Sequence, residues 1–324
     1  MKYLGNKSRV SGFIEDVLKK INCEKESALD LFTGTGSVSN LLSKYFKKIV
    51  SVDVLFLSKV LTHIKLNPTP QISPLILEEI ASQQKQGFIT NNYSEKVGVN
   101  IFKEQIAKHI DGALFYLKNN RSQFSESEFL FIMASIIENA DFRANIMGSY
   151  ESFYKKGWRK QAETNWDLRL HQNTNSCENY FHNCSVEDFF LSNQDFFSLV
   201  YCDSPYNSRQ YSSVFHVPET ISRNIEIETK GKINIPKNTY KSKFSQKRNV
   251  SKSFDDLIEN VSKITNNFLI SYNNEGILKK EEFIKKLKTK FTEVKIHEMD
   301  YRKFNTNRKN KPNIVKEYLI YASK

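Results

Sequence analysis

Little in this chain invites a disulfide or a metal. Four of its 324 residues are Cys, at positions 23, 177, 184 and 202, and no two of them form a CxxC pair. Neither a disulfide framework nor a zinc site is indicated, and the six His lack ligand spacing, so no metal is expected. No apolar run approaches the roughly 18–20 residues that a membrane-spanning helix needs. The opening MKYLGNKSRV is polar from its second residue and has no secretory apolar stretch. Internal repeats and low-complexity tracts are also missing. A disordered chain is excluded by 39% hydrophobic residues with 15 Tyr and 24 Phe. The expectation is a soluble, cytoplasmic, globular protein, long enough for two domains or for one with insertions.

Negative charge is in short supply. Lys and Arg number 48 against 36 Asp and Glu, a formal net charge of +12, which suits a polyanionic partner. The excess is clustered. Lys230, Lys232, Lys237, Lys241, Lys243, Lys247 and Arg248 follow one another with no intervening acid. A second group, Arg302, Lys303, Arg308, Lys309 and Lys311, lies near the C-terminus, and Lys155, Lys156, Arg159 and Lys160 interleave with Tyr154 and Trp158. Solvated loops would explain any one cluster. Three, with aromatics between the cations, favour nucleic acid.

Residues 8–21 carry apolar side chains at helical spacing. SALDLF (27–32) reads as a short buried strand, followed by the turn TGTG, a helix over 37–46 and a second strand over 47–54 that contains Asp53. This order predicts a βαβ unit with a parallel sheet. From 67 to 182 helical patterns dominate, and strand signals return at 195–202, 267–272, 292–298 and 315–321. The predicted fold is α/β, a Rossmann-like sheet with helices on both faces, interrupted by a mainly helical insertion. Residues 1–66 and 183–324 would form the sheet domain, with a basic insertion at about 209–250, and residues 67–182 the helical one.

Two places suggest chemistry. In Asp30-Leu31-Phe32-Thr33-Gly34-Thr35-Gly36-Ser37 the glycines permit positive φ and close approach of a ligand. Asp53, at the end of the next strand, stands where an acid can take ribose hydroxyls. A dinucleotide site wants GxGxxG, but Ser39 replaces the third glycine, and Asp30 adds an acid at the first strand end; both fit S-adenosyl-L-methionine better than NAD. The second place is Asp203-Ser204-Pro205-Tyr206, after the apolar strand FFSLVYC. Ligands of open α/β sheets bind beyond the carboxyl ends of strands, so this peptide should face the same crevice as the glycine turn. Asp203 and the Ser204 carbonyl offer two acceptors, Pro205 stiffens the turn, and Tyr206 supplies a flat ring. Together they suit an exocyclic amine on a planar base. Cys202 could suggest a nucleophile, but its place inside an apolar strand favours a buried structural thiol.

These motifs resemble, in order, those of the α-class (Dam-type) DNA adenine-6-amino methyltransferases. KYLGNK (2–7) is similar to the family's N-terminal cofactor motif, DLFTGTGSV (30–38) to its glycine motif, SVD ending at Asp53 to its acidic ribose position and DSPY (203–206) to its catalytic tetrapeptide. Ser204 stands where the family usually has proline. The resemblance implies methyl transfer from S-adenosyl-L-methionine to the 6-amino group of an adenine flipped out of duplex DNA. It assigns Asp203, Ser204, Pro205 and Tyr206 to catalysis, and Tyr3, Lys7, Asp30, Phe32, Gly34, Gly36, Asp53, Ser185 and Asp203 to the cofactor. DNA contacts are expected from Asn145, Tyr150, Lys155, Arg159 and Arg209, with Lys241, Lys243 and Lys247 as a phosphate clamp. A monomer is expected, working beside a cognate restriction endonuclease. The competing readings are methylation of RNA, methylation of the cytosine amine (whose tetrapeptide usually begins with serine) and a DNA-binding homologue impaired by Ser204.

Overall fold

The computed structural model describes Lys7, residues 10–302 and residues 314–324. Tyr3 and most of the C-terminal basic cluster lie outside the described residues. Two compact units divide the chain. The first is helical and comprises Leu55–Ser176 and Tyr211–Tyr240; the second contains the main sheet and comprises Lys7–Val54, Cys177–Gln210 and Lys241–Lys324.

In chain order the strands are β1 (Ser27–Leu31), β2 (Lys48–Val52), β3 (Glu178–His182), β4 (Leu199–Cys202), β5 (Thr229–Lys230), β6 (Ile235–Pro236), β7 (Asn267–Asn273), β8 (Glu293–Arg302) and β9 (Ile314–Ser323). Seven form one mixed sheet in the order β3-β2-β1-β4-β7-β9-β8. Pairings among β3, β2, β1, β4 and β7 are parallel, whereas β9 runs antiparallel to both β7 and β8. This is the Rossmann-like α/β sheet that the βαβ signal predicted. Strand order reverses between β1 and β4, where Leu31 is in register with Cys202. That reversal is the topological switch point, beyond which open α/β sheets bind ligands.

Every residue of β4 (LVYC) is buried, as expected of a central strand with neighbours on both sides. β3 (ENYFH) is an edge strand that alternates between exposed and half-buried positions, and it carries no apolar run to announce it. One face of the sheet packs on the helices Val250–Ile264 and Lys280–Leu287. The Phe254 ring meets Phe283 at 4.7 Å, Phe244 at 5.2 Å and Tyr272 at 5.9 Å, all edge to face. Truncating Phe254 would remove this hub at a cost of about 3–5 kcal/mol. Phe244 in turn meets Phe32 edge-on at 5.1 Å, so the core runs without interruption to the glycine turn.

In the helical unit, Ser125 and Glu128 form a reciprocal capping box at the start of Glu126–Arg143. Tyr211–Tyr240 is fastened to this unit rather than to the sheet. The Glu219 carboxylate accepts from the Phe56 and Leu57 amides at 3.1 and 2.8 Å. The Tyr93 hydroxyl donates to the Asn234 carbonyl at 2.9 Å, and the Asn224 amide to that of Leu114 at 2.9 Å. The basic stretch expected as one insertion is therefore shared between the units, with Lys230, Lys232 and Lys237 in one and Lys241, Lys243, Lys247 and Arg248 in the other. No helix among the described residues is long and apolar enough to cross a membrane.

Candidate active site

The turn after β1 is shaped by three left-handed residues, Phe32 (φ 61°), Gly34 (φ 59°) and Gly36 (φ 71°). Glycine accepts this region at no steric cost. Phenylalanine does not, and a bulky residue held there stores strain of order 1 kcal/mol, a feature that gathers at functional sites. The turn is pinned on three sides. Thr33 Oγ1 donates to the Asp30 carbonyl at 2.8 Å, the Thr33 amide to the Val52 carbonyl at 3.2 Å, and the Gly34 amide to Asp53 Oδ2 at 2.9 Å. Asp53 thus ties the end of β2 to the turn, while a carboxylate has lone pairs for more than one donor.

Asp203 follows β4 directly, and its amide donates to the Leu31 carbonyl at 3.3 Å. The Asp203–Tyr206 tetrapeptide and the glycine turn therefore open from adjacent strand ends in the same unit. Asp203 keeps 17% of its side-chain surface exposed. Burial, partly offset by Lys7 and reinforced by Glu317, raises its carboxyl to about 6. Lys7 Nζ lies 3.2 Å from Asp203 Oδ1, bonds the Glu317 carboxylate as well, and stands 5.7 Å from the Tyr206 ring centroid. The Tyr206 ring leans edge-on against Tyr272 at 6.2 Å, and its carbonyl accepts from the Ile277 amide at 2.9 Å. Ser204 is fully buried. Cys202 is fully buried too, and its thiol is held far above the ordinary value by burial, so it stays protonated and structural.

Several expected site residues have other occupations. Asp30 is buried, accepts from Ser39 Oγ at 2.5 Å and titrates at about 7 through burial. Ser39 also meets Ser51 at 3.0 Å. The Asp30 carboxyl therefore joins β1 to the helix Ser37–Leu42 rather than facing a ligand. Lys7 reaches Asp203 and Glu317, not the turn. Ser185 caps the helix Val186–Ser192, donating to Asp188 Oδ2 at 2.6 Å and accepting from the Asp188 amide at 3.1 Å. It does follow the end of β3 next to Asp53, whose carbonyl accepts from Asn183 at 3.0 Å.

Among the expected DNA contacts, Asn145 is completely buried. Its amide donates to the carbonyls of Asn100, Tyr154 and Gly157, and its Oδ1 accepts from the Arg159 amide. Buried and turned to the loop's own backbone, it presents no edge to a base. Tyr150 is buried with its hydroxyl 3.0 Å from Asp141 Oδ1. Arg159 spends one guanidinium nitrogen on the Ala144 carbonyl at 2.6 Å. These three build the loop rather than present it. Lys155, Arg209, Lys241, Lys243 and Lys247 are exposed, with Lys243 loosely facing Glu187 at 4.0 Å. Segment 241–247 is held to 209–210: the Ser242 amide donates to Gln210 Oε1 at 2.8 Å and Ser245 Oγ to the Arg209 carbonyl at 3.2 Å. The segment that carries Lys241, Lys243 and Lys247 is thus tied to the stretch just after the tetrapeptide, and its Phe244 reaches Phe32 of the glycine turn.

Glu317 escaped sequence reasoning. It is an acid buried within the apolar strand VKEYLIY, and that mismatch with strand alternation was the available signal.

Residues 3–285 match the family model of the D12 class N6 adenine-specific DNA methyltransferases. The chain belongs to this family. All of it aligns with the Type II methyltransferase M.FokI of Planomicrobium okeanokoites, 31% identical over 346 residues and covering 53% of that protein. The modification methylase StsI of Streptococcus sanguinis is 31% identical over 347 residues, covering 52% of its length. The Type II methyltransferase M.NlaIII of Neisseria lactamica is 25% identical over 341 residues, covering 99%. The D12 chain thus spans about half of two of these relatives and nearly all of the third.

Proposed function

We propose that this chain methylates the 6-amino group of an adenine extruded from duplex DNA, using S-adenosyl-L-methionine. The observation that carries the reading is the buried-edge carboxylate Asp203, one register step past β4 and beside the glycine turn. The turn's donor set fits the cofactor: small residues with positive φ leave room for a ligand, and Asp53 offers an acceptor for ribose hydroxyls. Gly34, Gly36, Phe32 and Asp53 would hold it, and when bound it supplies an electrophilic methyl group.

The chain's own task is to make a poor nucleophile competent. The adenine amine has its lone pair delocalised into the ring. Accepting its hydrogens at ionised Asp203, and at the Ser204 carbonyl once the incoming base opens that buried position, favours a more tetrahedral nitrogen and stabilises positive charge as it develops there. Tyr206 provides a ring against which the flipped base can stack, offsetting part of the few kcal/mol lost on leaving the helix. Arg209, Lys241, Lys243 and Lys247 contact phosphates, and the helical unit contributes target recognition through Lys155 and its exposed neighbours. The protein acts in the cytoplasm as a monomer, protecting sites that a cognate endonuclease would cut.

Incubation with methyl-labelled S-adenosyl-L-methionine and mixed duplex DNA and RNA, followed by nucleoside analysis, tests this. Label in 6-methyladenine of duplex DNA is the expected result. Label confined to methylcytosine or to RNA, or none at all, refutes it.

A further inference from the structure

The carboxylate assigned to the base does not meet its lysine alone. Lys7 is buried and shared between Asp203 and Glu317. Glu317 lies on β9 opposite Asn273 at the carboxyl end of β7, only 4% exposed, and accepts from Ser271 Oγ at 2.7 Å. Ser271, Glu317, Lys7 and Asp203 thus form one chain of contacts from two strands into the site. The ammonium therefore bonds both carboxylates, and each draws on its charge. A lysine needed only to hold Asp203 in place would require no second buried acid, since burying one is costly unless it has a function or partners. Two carboxylates and one ammonium leave one negative charge in excess, and the amine nitrogen acquires positive charge during methyl transfer.

We propose that Glu317 is a positioning residue for methyl transfer: by drawing the Lys7 ammonium towards β9, it keeps an Asp203 oxygen free and electron-rich for the adenine amine. The inference rests on the role given to Asp203 above. The ionisable groups acting on Asp203 are Lys7 and Glu317, with Asp30 on β1, Tyr201 on β4, and Tyr206 around them. Without the negative charge of Glu317, Lys7 would close on Asp203, occupying the oxygen that the substrate needs and making the carboxyl easier to ionise.

Glu317→Gln in the full chain, assayed on cognate duplex DNA between about pH 5 and pH 9, tests this. The plateau kcat should fall about tenfold, with KM for S-adenosyl-L-methionine within about twofold of the parent. The acidic limb of the rate profile should move to lower pH by about one unit, because a like charge has been removed from beside Asp203. A merely structural loss would reduce the active fraction and leave the limb in place. Glu317→Asp keeps the charge and should return the limb to its parental position, which also covers the case of a Gln variant that does not fold. A folded Glu317→Gln protein with parental kcat and limb overturns the proposal, as does a Glu317→Asp limb displaced to lower pH. Asp203→Ala serves as the control. Turnover surviving that change sinks the function above together with this inference, whereas an inactive Asp203→Ala beside an unaltered Glu317→Gln sinks the inference alone.

Discussion

Replacing Lys7 by Met puts the electrostatics of the site to a quantitative test. The ammonium sits 3.2 Å from Asp203 Oδ1. At that separation the Coulomb attraction is about 5 kcal/mol at an effective dielectric of about 20 and about 1 kcal/mol in bulk water. A carboxylate with 17% of its side-chain surface still exposed falls between these limits. One pH unit corresponds to about 1.4 kcal/mol, so losing the lysine should raise the Asp203 carboxyl by at least about one unit. The sign follows from the acceptor role: only ionised Asp203 can take a hydrogen from the amine, so rate falls below its pKa. With the Asp203 carboxyl raised to about 6, the acidic limb of kcat/KM is expected near 6 in the parent and should move to about 7 or above in Lys7→Met. Initial rates of methyl transfer between about pH 5 and pH 9 read this out, with calorimetric binding of S-adenosyl-L-methionine verifying that the protein is folded. Asp30 is raised to about 7 by burial and also senses the Asp203 charge, so the same comparison in an Asp30→Asn background isolates the limb that belongs to Asp203. A limb that stayed near 6 would refute the assignment of Asp203 as the group that must be ionised.

Neutralising Lys241, Lys243 and Lys247 to Gln together should weaken DNA binding and flatten the dependence of log K on log salt by up to about 2.7, at about 0.9 per lost phosphate contact; an unchanged slope in a salt titration removes the clamp. Gly112→Ala should destabilise the protein by about 1–3 kcal/mol, because its Cβ would stand 2.5 Å from the Gln83 carbonyl; a parental urea midpoint would show that this close approach does not exist. Asp30 keeps its proton to about 7 when folded and releases it near 4 when unfolded, so its contribution falls as pH rises through that window. Asp30→Asn should lose this decline between about pH 4 and pH 7 in urea unfolding, and an equally steep decline in both proteins contradicts the burial of this carboxyl.

The site's main features were visible in the sequence because each is local. Gly34 and Gly36 advertise positive φ, and the DSPY peptide follows an apolar run that could only be a central strand. Phe32, by contrast, gives no hint that it shares the left-handed conformation. β3 was missed because ENYFH borders solvent and needs no apolar face. The sequence suggests contacts at Asn145 and Tyr150, because polar residues in an aromatic, basic stretch imply a surface. In the folded loop those same polar groups satisfy its backbone and Asp141 from inside.

Composition and order alone settled the charge excess, the βαβ start, the family motifs and the strand after which Asp203 falls, since all depend on neighbours within a few residues. Only the tertiary structure could decide which groups share a proton field. The ammonium of Lys7 and the carboxylate of Glu317 are 310 positions apart, and they meet because β9 runs antiparallel beside β7 and brings its acid to the same sheet edge as Asp203. Electrostatic coupling depends on distance in space, and no pattern along the chain encodes that distance.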